Sequence, residues 1–330
     1  MNRLNSLVLR VLCTSMLAAF VSGCEDPKQP AAATVVPGSQ PPVAQKPAAI
    51  QETYATPEDA VVALIDTCRK ADFDLLIPIF GPQFANLSVD PKDRTQGDLQ
   101  RIAAAYDRVH SLVKEDDGSV TLLVGENGWD FPAPIVQVGG RWQFDTEEGI
   151  KEMRARRIEQ NEADAILTLQ ELVELQREFF AMSEARGERP PGYATRLRST
   201  PGKRDGLYWD DALGLPHSPL GPMVEKAELA RDRNLDPEGQ QAYRGYMFRV
   251  LTGQGKGAPG GARSYTDDQG RMPSEFALLA WPAKYGETGT MTFQIFSDAT
   301  VYQKDLGKAT AEEAKAMVVF DPAGWEKVNP

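Results

Sequence analysis

The 330-residue sequence predicts an α+β protein, and three observations carry that expectation. Apolar residues at helical spacing open the folded region and then give way to short alternating runs. The same succession occurs a second time after residue 146, and paired glycines stand where neighbouring strands must turn back. Composition agrees, since 42% hydrophobic and 25% charged residues suit globular domains rather than a disordered chain. The 36 Lys and Arg against 47 Asp and Glu give a formal charge of −11. That balance argues against nucleic acid as a partner, because affinity for a phosphate backbone needs concentrated basic charge.

Residues 1–23 read as a signal peptide. Arg3 and Arg10 precede and enter an apolar run from Val11 to Val21 that is too short to span a bilayer. The run closes on Val21, Ser22, Gly23 and Cys24, which resembles the lipobox of bacterial lipoproteins. That resemblance implies lipidation of Cys24, a membrane anchor through the lipid, and a place in the bacterial cell envelope facing the periplasm. Glu25 and Asp26 follow the cysteine directly, and the choice between inner and outer membrane stays open. Residues 24–52 are rich in Pro, Ala, Gln and Ser and are expected to form a disordered tether, because too little apolar surface is present to offset chain entropy. With Cys13 in the signal and Cys24 lipidated, Cys68 has no partner for a disulfide.

A first domain is expected over residues 53–150. Thr56-Pro57-Glu58-Asp59 joins a capping hydroxyl, a proline at the first helical position and two acids facing the helix N-terminus. Val61, Leu64, Ile65 and Cys68 then share one face of a helix running to about Ala71. Phe73 to Phe80 and Leu99 to Val113 also carry helical spacing, broken by Gly81-Pro82. Strands follow at Val120–Val124, Ile135–Val138 and Arg141–Phe144, the last two joined by Gly139-Gly140 in a tight hairpin. This element order, with the closing stretch VQVGGRWQFDT, resembles the NTF2-like cone of helices on a curved antiparallel sheet.

Residues 151–330 are expected to hold a long helix and a second antiparallel sheet. From Thr146 to about Met182 the spacing is helical, with Ile166, Leu169, Val173, Gln176 and Phe180 on one face. Its wording around Asn161-Glu162 and Ala165-Ile166 resembles a type IV pilin-like helix. Strands are predicted at Gly245–Leu251, Phe276–Trp281, Thr290–Phe296 and Thr300–Lys304, after a short helical stretch from Met223 to Arg231. A closing helix starts at Thr310 and Glu313, read as a capping box, with Ala314, Met317 and Val318 inward.

The runs STPGKRDGLYWDD, SPLGPMVEKA, YRGYMFRVLTGQGKGAPGGARSY and FALLAWPAKYGETGTMTFQIFSD, followed by VYQKDLG, resemble the bacterial secreted family called domain of unknown function 2950. The likeness runs from about Tyr54 to Trp325. It implies an envelope protein, often a lipoprotein, and no catalytic residue or cofactor. Departures such as Ala299, where a turn glycine is expected, fall in loops.

Candidate chemistry is sparse. Two histidines, His110 and His217, exclude a multi-histidine metal site, and neither a metal nor a cofactor is expected. His217 adjoins Ser218, but adjacent residues seldom aim at each other as base and nucleophile. Gly253, Gly255, Gly257, Gly260 and Gly261 make a dense glycine loop, yet no helix follows to complete a phosphate cradle. The best candidate is the segment Lys203, Arg204, Asp205, Gly206, Leu207, Tyr208, Trp209, Asp210 and Asp211, which mixes cations, carboxylates and aromatics. It reads either as an exposed recognition loop, without strong period and suited to stacking a glycan, or as a plain loop held by packing of Tyr208 and Trp209 and an ion pair from Arg204 to Asp205 or Asp210. The function expected is a non-enzymatic envelope protein binding a partner protein, a cell-wall glycan or a small ligand. The alternative is a periplasmic hydrolase of glycan or peptide using the carboxylates of residues 203–211. A raised carboxyl pKa in a cleft would favour the hydrolase, and a shallow groove would favour binding.

Overall fold

The structure is a computed structural model that describes residues 50–86, 96–209, 217–224, 234–235 and 241–328. The predicted signal, Cys24 and nearly all of the predicted tether lie outside the described residues, as do Asp210, Asp211 and the 225–231 part of the predicted short helix. The described residues fall into two compact units, 50–148 and 149–328. Each mixes helices with antiparallel sheet, so the fold is α+β.

In the N-terminal unit, helix α1 (Pro57–Lys70) starts where its capping residues place it. Thr56 is extended, its hydroxyl accepts the Asp59 N–H at 3.1 Å, and Ala71 closes the helix in the left-handed region. Leu64, Ile65 and Cys68 are each about 1% exposed. Burial pushes the Cys68 thiol up to about 12, as expected of a small core residue and not of a nucleophile. Helices α2 (Leu76–Phe80) and α3 (Gln96–Arg108) complete the helical layer.

The sheet has the order β1 (His110–Lys114), β2 (Val120–Val124), β4 (Ile135–Val138) and β5 (Arg141–Phe144), with β3 (Trp129–Asp130) paired to β2. Gly139 and Gly140 both have positive φ, +59° and +80°, which is what a two-residue hairpin between β4 and β5 requires. Two expectations need correction. Helix α3 stops at Arg108, and residues 110–114 pair with β2 in register His110↔Val124 to Lys114↔Val120, so strand pairing overrides a helical spacing that was shared only in part. The chain is also engaged before residue 53: Gln51 Nε2 donates to Phe144 O at 2.7 Å and to Ile79 O at 3.1 Å.

Helix α4 (Thr146–Ala185) is 40 residues long, its first three residues lying in the N-terminal unit and the rest in the C-terminal one. Its buried face carries Ala165, Leu169, Leu172, Val173, Gln176 and Phe179. Phe180 was expected on that face; it is only half-buried, and Phe179 points inward instead. The fully buried Gln176 is tolerated because its amide exchanges two bonds with Ala194, Nε2 to O at 2.9 Å and N to Oε1 at 2.8 Å. Glu162 and Asn161 tie the helix to a hairpin: Glu162 Oε1 accepts the N–H groups of Thr290 and Met291, and Asn161 Nδ2 donates to Thr288 O.

After α4 come β6 (Arg196–Arg198) and β7 (Gly206–Tyr208), then β8 (Asn234–Leu235) paired with β9 (Gln241–Ala242). The main sheet uses β10 (Tyr246–Leu251), β13 (Ala277–Pro282), β14 (Met291–Phe296), β15 (Val301–Asp305) and β16 (Glu326–Lys327) in that order, all antiparallel. Strand β13 is buried along its whole length, which explains its continuous apolar run. Between β10 and β13, β11 (Gly253–Gln254) pairs with β12 (Arg263–Ser264). Helix α5 (Thr310–Ala316) lacks the expected capping box: Thr310 is the first helical residue, and its hydroxyl donates to Gly307 O at 2.6 Å. Val318 was expected inward but is 62% exposed, because the helix has already ended. Arg249 reaches the end of α5 instead, donating to Lys315 O at 2.7 Å.

Candidate functional site

The segment expected to be an irregular loop contains a strand. β7 pairs with β6 in parallel, Arg196 with Gly206 and Arg198 with Tyr208. Gly206 is required by close approach: a Cβ there would stand 2.5 Å from Ser199 N and 2.6 Å from Arg198 C. Strand alternation then sends Leu207 into the core at 0% exposure. Trp209, just past the strand, is 4% exposed and meets the Phe179 ring edge-on, with centroids 6.3 Å apart. It offers no free face for stacking a sugar. Tyr208 is half-buried, with the Arg198 guanidinium 5.0 Å over its ring. Lys203 is exposed at the preceding turn.

Asp205 is a structural anchor as well as a lining group. Its Oδ1 accepts the Thr200 N–H at 2.8 Å and its Oδ2 the Thr200 hydroxyl at 2.7 Å. Arg196 Nε lies 3.5 Å away. The expected ion pair from Arg204 to Asp205 is therefore corrected: Arg196 holds that position, one strand over, and the Asp210 half of the expectation falls outside the described residues. Burial pushes the Asp205 carboxyl up, but the Thr200 bonds and the Arg196 charge outweigh it and hold the group below the usual carboxylate range.

Around Arg204 and Asp205 the chain forms a half-open pocket of about 100 Å³. The α4 side supplies Phe179 and Glu188, the next stretch Gly192, Tyr193 and Thr195, and a distant turn Gly270 and Arg271. Local bonds bring these segments together. Tyr193 N donates to Met272 O at 2.8 Å, Thr195 N donates to Asp205 O at 2.9 Å, and Ser183 Oγ accepts the Gly192 N–H at 3.0 Å. Glu188 accepts the Ser183 hydroxyl at 2.6 Å and Arg186 Nε at 2.8 Å. Burial raises the Glu188 carboxyl, and those two bonds with the charges of Arg186 and Arg204 outweigh it, so Glu188 too sits below the usual range. Both pocket carboxylates are thus ionised at neutral pH.

Sequence reasoning found Arg204 and Asp205 but missed Glu188, Tyr193, Thr195 and Arg271. The only signal near them is the Arg189-Pro190-Pro191 break after α4, which marks a turn without saying what the turn approaches.

The other candidates do not form sites. His110 begins β1, exposed, its ring stacked on Tyr106 at 3.6 Å. It was expected in a helical stretch. His217 is exposed whereas Ser218 is 2% exposed, so the neighbours face different surroundings. Among the described residues no group of three or more His, Cys, Asp or Glu is placed to hold a metal, and no helix is long and apolar enough to cross a membrane. The glycine loop is occupied by the chain's own carboxylate: Asp321 Oδ2 accepts the Gly257 N–H at 3.3 Å, and a Cβ at Gly255 or Gly257 would overlap the Asp321 side chain.

A family model matches residues 51–328, which takes in both units and every pocket residue. The chain belongs to the family described as protein of unknown function (DUF2950). The pocket is accordingly a feature of the DUF2950 region itself and not of an appended segment. No curated protein and no solved structure matches the chain.

Proposed function

We propose that this DUF2950 chain is a bacterial envelope lipoprotein, anchored through lipid on Cys24, whose C-terminal unit binds a small ligand or a group on an envelope partner without transforming it. The lipobox-like run ending at Cys24 supports the anchor. We read the N-terminal unit as NTF2-like and the C-terminal unit as pilin-like; helices beside an antiparallel sheet in each support that reading.

The pocket's charge state carries the choice of binding over hydrolysis. General acid and base catalysis needs one carboxyl kept protonated near neutrality and one ionised. Glu188 and Asp205 are both held in the ionised form, and every bond that holds them is structural. To test this, the full chain is incubated with soluble cell-wall glycan and peptide fragments, with calorimetry reading binding and mass spectrometry reading products. Saturable binding without turnover is expected. Product formation that disappears in Asp205→Asn, with the fold intact, would establish the hydrolase instead.

A further inference from the structure

Three of the four arginines at the pocket stand within 4.0 Å of a carboxylate. Arg186 bonds Glu188 at 2.8 Å, Arg196 lies 3.5 Å from Asp205, and Arg271 lies 2.7 Å from Asp267. Arg271 also donates from Nη1 to Arg189 O and from Nη2 to Gln269 Oε1. Arg204 lines the same pocket, half-buried; its charge acts on Glu188 from beyond ion-pair distance, and among the described residues it makes no hydrogen bond and no ion pair within 4.0 Å. A guanidinium carries five N–H donors in a planar fork, and leaving those donors partly desolvated without hydrogen-bond acceptors is unfavourable unless something else completes them. The fork fits a carboxylate through two parallel bonds.

The remaining walls restrict the occupant. Phe179 and Tyr193 give apolar surface, and the Tyr193 ring is fixed between Phe180 and Phe276, with centroids 4.7 Å from each. Glu188 and Asp205 place two negative charges in the same lining, which penalises a doubly charged anion more than a singly charged one. At about 100 Å³ the space equals roughly three water volumes, so it takes a small acid or the end of a longer molecule.

We propose that the pocket binds a carboxylate, as a small monocarboxylic acid or as the terminal carboxylate of a peptide, with the anion on Arg204 and the adjoining apolar atoms on Phe179 and Tyr193. This rests on the binding reading above and names its ligand class.

The test is calorimetry on the full chain with five probes: propionate, N-acetyl-alanyl-alanine, the C-terminal amide of that peptide, methyl phosphate, and an uncharged cell-wall glycan fragment. Binding of one or both free acids, with the amide and methyl phosphate weaker by about tenfold or more, is the expected result, since a charge-assisted bond is worth about 1.5 to 3 kcal/mol. Preference for the peptide acid over propionate identifies a peptide terminus, and the reverse identifies a small acid. Arg204→Gln should weaken the acids by about tenfold or more, with partial recovery in Arg204→Lys. Circular dichroism should show Arg204→Gln folded, because no hydrogen bond within the protein is lost and the remaining effect is a longer-range charge on Glu188. Equal binding of acid and amide, undiminished binding in Arg204→Gln, or stronger binding of methyl phosphate overturns the proposal. An uncharged glycan fragment that binds while all acids fail overturns the carboxylate assignment and leaves the binding reading standing; failure of every ligand removes both.

Discussion

Replacing Trp209 tests whether the 203–209 segment is an exposed recognition loop or part of the core. The indole is 4% exposed, follows the parallel β6–β7 pair, and contacts Phe179, which itself lines the pocket. Truncating a buried aromatic costs about 3 to 5 kcal/mol, of which an edge-on aromatic pair accounts for about 0.5 to 1.5. For a unit of this size each kcal/mol moves the melting temperature by about 2 to 4 °C, so Trp209→Ala should lower the C-terminal unit's transition by about 6 to 20 °C. Trp209→Phe keeps a ring against Phe179 and should lose distinctly less. Far-UV circular dichroism is the suitable probe, because the substitution removes one of five tryptophans and would distort a fluorescence signal. A loss below about 1 kcal/mol in Trp209→Ala is the range of a surface change, and it would refute the buried placement.

Other substitutions probe separate features. Gly289→Ala should destabilise by about 1 to 3 kcal/mol in a denaturant titration, because its Cβ would overlap the fully buried Tyr246 ring, whose hydroxyl is bonded to Met291 O. Ala299→Gly should stabilise by about 0.5 to 1 kcal/mol: Ala299 has φ +67°, a left-handed cost of about 1 to 2 kcal/mol, set against the extra entropy glycine loses. Native Cys68 should resist a thiol reagent at pH 8 and react only after denaturation, since burial holds its pKa at about 12. Asp205 has a folded pKa below the unfolded value of about 3.9, so its contribution is present above that pH and disappears as pH falls through the folded pKa. The stability gap between wild type and Asp205→Asn in urea should therefore narrow from pH 7 to pH 3; a gap that widens would contradict the direction of the shift.

Legibility in the sequence followed the range of the forces involved. Helix α1 was readable because its cap, proline, acids and apolar face all lie within fifteen residues and agree. Strands β10, β13, β14 and β15 were readable to within one residue at either end because each carries its own apolar pattern. Strand β1 was not, since its residues take their conformation from pairing with β2 and not from local spacing. The same limit hid β7: three residues, Gly206 to Tyr208, have no period of their own, and their parallel partner β6 lies in a stretch rich in turn residues. Most of the pocket was invisible for the same reason, with Arg271 brought to Arg204 across 67 positions by backbone bonds that no motif announces.

Two anion-attracting features in the C-terminal unit illustrate why pairing decides more than composition. The glycine loop at 253–261 has the look of a phosphate cradle, yet its exposed N–H at Gly257 already faces Asp321, whose own backbone N–H is held by Gln294. An external anion there would have to displace a tethered carboxylate at very high effective concentration. Arg204 sits in a segment whose three carboxylates and two cations suggest internal neutralisation, but Asp205 is taken by Thr200 and Arg196 from the neighbouring strand. The parallel β6–β7 pairing places Arg196 opposite Gly206, next to Asp205, and so leaves Arg204 with the more distant Glu188 charge but no hydrogen bond among the described residues. A strand register thus releases one guanidinium into the pocket, which ties the ligand preference to Gly206: Gly206→Ala, by separating the two strands, should weaken carboxylate binding even though residue 206 touches no ligand.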